Sequence, residues 1–163
     1  MGVAELLLAG ILAIALLYVA WGDIRTRTIP NWLNAAIALA APLWWLAWWP
    51  SQDIAFWPGI GWQLGTAAAV FAIFALCFHF GMMGGGDFKL LVALALWLPP
   101  LPLFRMITVM ALAGGVLTIV MMALHRARKA GWRPEVPYGL AISFAALWVL
   151  ANDILTTPVS YHG

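Results

Sequence analysis

Charge is scarce in this sequence. Only 9% of its 163 residues are Asp, Glu, Lys or Arg, 65% are hydrophobic, and the mean hydropathy is +0.97. A soluble domain is about a quarter charged, so no water-soluble fold of this length hides so much apolar surface. Cysteine is nearly absent as well. Cys77 stands alone in an apolar run, which excludes an internal disulfide and a multi-cysteine zinc site and leaves it as core or lipid-facing packing. The histidines His79, His125 and His162 have no ligand-like spacing, so no metal is expected, nor any other cofactor. Ser51, Ser143 and Ser160 lie in no nucleophile-elbow motif, which removes a serine intramembrane protease. The stretch 6–21 lacks a positive n-region and is too long for a signal-peptide core, so it reads as a first membrane helix.

What the sequence does hold is apolar runs near the ~20 residues needed to cross a bilayer. They cover 3–22, 32–49, 61–80, 88–98, 103–124 and 138–154, separated by polar or Pro/Gly-rich breaks at 23–31, 50–59, 81–87, 99–102 and 125–137. The expected fold is therefore all-α: one membrane-embedded domain, 1–163, of about six transmembrane helices. Seven of the eight basic residues fall at the first, third and fifth breaks (Arg25 and Arg27; Lys89; Arg126, Arg128, Lys129 and Arg133), and only Arg105 falls elsewhere. Cytoplasmic loops retain basic residues during insertion, so these three breaks face the cytoplasm and the N-terminus lies outside. The same topology explains the net charge of +2 and the pI near 9.0, so the bilayer, and no nucleic acid, is the expected partner. Trp44, Trp45, Trp48, Trp49, Trp57 and Trp62 flank the second break and read as an outer aromatic belt. The fourth run is anomalous. From Phe88 to Leu98 a helix rises only about 16 Å, roughly half the hydrocarbon core, which hints at a polar cavity opening toward the cytoplasm.

Six carboxylates are available. Glu5, Asp53 and Asp153 fall near outer ends and read as solvated or interfacial charges, and Glu135 reads as an ion-pair partner in a basic loop. Asp23 and Asp87 differ, because each joins a membrane helix to an inner-face break, and an acid at membrane depth is a functional candidate by default. Taken singly, Asp23 could pair with Arg25 or Arg27, and Asp87 could N-cap the fourth helix. Together, if their helices pack side by side, they can serve as general acid and general base around one water. Helix ends suggest roles: Asp87 at a partly positive N-terminus as the ionised base, Asp23 beyond a C-terminus as the proton-bearing acid. The glycines Gly84, Gly85 and Gly86 would permit unusual backbone angles or close approach of a substrate. They form no Walker A loop, since Lys89 follows an aspartate instead of preceding Ser or Thr.

The stretch Asp23-Ile24-Arg25-Thr26-Arg27-Thr28-Ile29-Pro30-Asn31 and the Gly-x-Gly-Asp motif of Gly84-Gly85-Gly86-Asp87-Phe88-Lys89 resemble the two aspartate motifs of the type IV prepilin peptidases. Pro137-Tyr138-Gly139-Leu140-Ala141-Ile142 is similar to that family too. The resemblance implies an aspartyl peptidase of a bacterial inner membrane that cleaves the leader of a prepilin or pseudopilin precursor on the cytoplasmic side. It makes Asp23 and Asp87 the dyad, with Gly84, Gly85, Gly86, Lys89, Arg25, Pro30, Asn31, Tyr138 and Gly139 as supporting residues. The cysteine tetrad of the bifunctional, methylating members is not found, so the sequence resembles the short, peptidase-only type of tight-adherence (Flp) pili. The rival reading is a small proton-coupled transporter or channel subunit using the same acids as a relay. A relay would want acids spread through the membrane depth, whereas a peptidase wants both at one face.

Overall fold

The computed structural model describes residues 2–50, 56–127 and 137–154. Asp53, Glu135, Arg128, Lys129, Arg133, Ser51, Ser160 and His162 lie outside them, as do the side chains of His125 and Asp153. Among the described residues six helices follow one another: α1 (Val3–Thr26), α2 (Asn31–Trp48), α3 (Phe56–His79), α4 (Gly85–Trp97), α5 (Pro100–Ala127) and α6 (Tyr138–Val149), the last running into a π-helical turn, Leu150–Ile154. No strand occurs among the described residues. The protein is an all-α membrane protein. Val3–Thr26, Phe56–His79 and Pro100–Leu124 are long and apolar enough to cross a bilayer, and Tyr138–Asn152 is a shorter apolar helix.

The short fourth helix is the hub. It packs against α2, α3 and α6, while α1 packs against α2 and α6, and α5 against α6. Leu90, Leu91, Ala93, Leu94, Ala95 and Trp97 of α4 are all buried, as expected of a helix that is apolar all round. With 13 residues, α4 is about 20 Å long, and it stops because Pro99 and Pro100 follow. A helix ending inside an apolar protein leaves carbonyls that water cannot reach. Here side chains reach them: Gln63 Nε2 donates to Ala95 O (2.6 Å) and Leu98 O (2.8 Å), and Trp45 Nε1 to Leu96 O (2.7 Å). In α2, Pro42 cannot donate to the carbonyl one turn back and loosens the ladder there; Trp97 Nε1 donates to the neighbouring Ile37 O at 2.7 Å.

These bonds also fix direction. Asn34 near the start of α2 meets Gly86 near the start of α4, and Trp45 meets Leu96 near both ends, so α2 and α4 run parallel. Gln63, early in α3, meets the end of α4, so α3 runs against them. The four tryptophans at the C-terminal end of α2 and its cap are not a belt. Trp44, Trp45, Trp48 and Trp49 are buried, with Trp44 stacked on Trp48 and on Trp97, and Trp45 on Trp49. Trp57 and Trp62 are exposed, as belt residues would be. Glu5 is likewise buried instead of solvated, its carboxylate accepting the Gly2 N–H at 3.0 Å at the start of α1.

Candidate active site

Asp23 lies in the last turn of α1, which continues to Thr26, and not beyond the helix end. It is 5% exposed. Its Oδ2 accepts the backbone N–H of Leu140 at 3.0 Å, and the Gly139 N–H also reaches the carboxylate. Both donors belong to the first turn of α6, where helical N–H groups have no partner of their own and the helix end is partly positive. Gly139 is needed there. A β-carbon placed on it would stand 2.9 Å from Asp23 Cγ and 3.0 Å from Ile29 Cδ1.

Asp87 is the third residue of α4 and not its N-cap, a position held by Gly84. Its carboxylate turns back to accept the Gly84 N–H, as acids at this position commonly do. Gly84, Gly85 and Gly86 all have negative φ, so unusual backbone angles are not their purpose. They serve close packing within the chain: added β-carbons would lie 3.1 Å from Asp87 Oδ2, 3.3 Å from Phe78 and 3.1 Å from Ile29 respectively. The one glycine here with positive φ is Gly81 (69°), which ends α3 while the Met82 N–H returns to Cys77 O at 2.9 Å.

The two acids are near enough for the charge of one to be felt at the other. Helices α2 and α6 each pack on both α1 and α4 and so join the elements that bear the two acids. The link through α2 is polar: Asn34 Nδ2 donates to Gly86 O (3.2 Å) and Lys89 Nζ to Asn31 Oδ1 (2.7 Å), just after Pro30 N-caps the helix. Arg25 is placed elsewhere, its guanidinium 4.3 Å from the centre of the Trp21 ring, and the charge that reaches Asp23 is that of Arg27. Tyr138 packs on Gly114 and joins Phe74, Cys77, Met82, Met83, Leu91, Met110 and Ile142 around a cavity of about 160 Å³ that Asp87 also lines. Since α6 points its N-terminus at Asp23 as α4 does at Asp87, the helix-end argument no longer separates the roles of the two acids. No group of three or more metal-ligating side chains occurs among the described residues. Asn34 and Ile29 carried no separate signal in sequence, and the donors from Gly139 and Leu140 are backbone groups, which leave none.

Comparison with known proteins gives the family of the chain. The model of the type IV leader peptidase family matches residues 10–120, which include both acids. A prepilin leader peptidase/N-methyltransferase of Neisseria gonorrhoeae is 32% identical over 84% of this chain, and one of Xanthomonas campestris pv. campestris is 28% identical over 86%. The alignments cover 49% of each relative, so the chain spans about half the length of the curated relatives it matches. No solved structure matches it. A family match over more than half of the residues, running through both aspartate motifs, places this chain in the type IV leader peptidase family.

Proposed function

We propose that the chain is a membrane aspartyl endopeptidase that removes the leader from type IV pilin-like precursors at the cytoplasmic face of a bacterial inner membrane. The observation that carries this reading is the convergence of Asp23 and Asp87, each met by backbone N–H groups at a helix N-terminus, beside a cavity bounded by apolar side chains. In the proposed reaction one carboxylate takes a proton from a water molecule as its oxygen attacks the scissile carbonyl carbon. The other, protonated, gives its proton to the leaving amine nitrogen as the C–N bond breaks. Two close carboxylates cannot easily both ionise, so the pair holds one proton over a window of pH and turnover follows a bell.

The proposed topology has six crossings with the N-terminus outside. It is supported by the seven-to-one division of basic residues and by the parallel course of α2 and α4. The clustering of both acids at one end of the helices favours a peptidase over a proton relay. Purified protein incubated with a pilin-like precursor should release the leader, and Asp23→Asn or Asp87→Asn should each lower the rate by at least about 100-fold. Wild-type cleavage by either variant would remove the dyad mechanism.

A further inference from the structure

The turn after Asp23 contains a side chain with contacts on both halves of the site. Helix α1 ends at Thr26 and is capped by Arg27, whose φ of 53° is left-handed and uncommon for a residue with a β-carbon. The Arg27 N–H returns to Asp23 O at 3.1 Å, and the chain then folds back on α1, with Thr28 O 3.6 Å from where a β-carbon on Gly22 would be. Ile29 is thereby turned inward, half-buried against the core. Its Cβ lies 3.1 Å from where a β-carbon on Gly86 would be, and its Cδ1 lies 3.0 Å from the same point on Gly139. Gly86 immediately precedes Asp87, and Gly139 opens the helix end that holds Asp23. One aliphatic side chain thus spans from the element bearing one acid to the element holding the other.

We propose that Ile29 is a spacer: a positioning residue, wedged between Gly86 and Gly139, that sets the separation of the Asp23 and Asp87 carboxylates. The inference rests on the reading of the two acids as a working pair. A β-branched residue suits the task because its χ1 is stiff, and two facing glycines let it seat fully between two backbones. Separation matters because an error of about 1 Å in a reacting constellation can lower a rate ~100-fold.

The test compares wild type, Ile29→Ala and Ile29→Val as purified full chains cleaving one precursor, with kcat, KM and the pH profile of kcat measured for each. Ile29→Ala should lower kcat about 10- to 100-fold with KM within about twofold of wild type. It should also broaden the bell: with the wedge gone the elements close, and nearer carboxylates titrate in steps further apart. Ile29→Val keeps the atoms that face Gly86 and loses only Cδ1, so it should lie between the two and serves if the alanine variant fails to fold. Wild-type kcat and bell width in either folded variant overturn the proposal, as does a loss of kcat with no change in bell width, or an effect confined to KM. Asp23→Asn and Asp87→Asn, assayed alongside, keep the outcomes apart. If both are inactive while the Ile29 variants behave as wild type, the spacer fails and the dyad stands; if either is active, the dyad itself fails.

Discussion

At the scale of single residues, the site is built from groups that give up stability for position. Asn34 is 4% exposed and donates to Gly86 O, yet its Oδ1 is buried without a partner. A buried unpaired acceptor costs about 1–3 kcal/mol, and leucine of similar length would remove both donor and orphan. Asn34→Leu should therefore leave thermal stability equal to or above wild type while lowering activity several-fold, since the tie between α2 and the start of α4 is lost. Reduced stability with unchanged activity would show the residue to be ordinary core. Gly139 makes a second case. Gly139→Ala forces the Asp23 carboxylate to move and should reduce kcat by about 10- to 100-fold, whereas Gly115→Ala, whose β-carbon would meet nothing within 4 Å, should be neutral. The two acids were legible in sequence because a charge at the end of an apolar run stands out. Their partners were not: a backbone N–H carries no residue type, and Ile29 and Asn34 are unremarkable in composition. Arg25 and Arg27, two residues apart, could be told apart only once the left-handed turn at Arg27 was seen.

At the scale of helices, each of the six apolar runs matches a helix; the ends of the first, third, fourth and fifth moved by three to five residues on at least one side, those of the second by one, and the fourth run is as short as expected. What the run at 88–98 could not say is how so short a helix is tolerated. The answer is Gln63, a polar residue in an apolar helix, 4% exposed, with its amide nitrogen shared between Ala95 O and Leu98 O. Gln63→Leu should lower unfolding free energy by about 1–3 kcal/mol, read from detergent-denaturation curves. Trp45→Phe, which removes one donor to one carbonyl, should cost less. Equal, negligible effects would mean that the carbonyls at the end of α4 find other donors. Trp44, Trp45, Trp48 and Trp49, at the end of α2 and its cap, were misread for a reason of scale: belt residues are counted by where they fall along the chain, but burial follows helical pitch. Trp44 and Trp48, and Trp45 and Trp49, are four apart and so share a face, and that face is the one turned to α4.

At the scale of the whole molecule, the site has meaning only with respect to a membrane face. The ends that converge are the C-terminus of α1 and the N-termini of α2, α4 and α6, tied by Leu140 to Asp23, Asn34 to Gly86 and Lys89 to Asn31. Arg25, Arg27 and Lys89 stand at these ends, and Arg105 stands near the start of α5, at the other end of the bundle. On the proposed topology, retention of basic residues on the cytoplasmic side would put the carboxylates at the inner face, where a precursor with an apolar helix would present its polar leader. The prediction is made with single cysteines in a Cys77→Ala background that still cleaves precursor. A cysteine at Thr28, exposed in the turn after α1, should react with an impermeant thiol reagent only after spheroplasts are opened. One at Trp57, 79% exposed at the start of α3, should react on intact spheroplasts. The reverse pattern would place the dyad on the outer face and would contradict cytoplasmic cleavage even if both aspartates proved essential. Labelling of both positions on intact spheroplasts would mean that α2 does not cross, and that the short helices sit in the bundle without spanning the membrane.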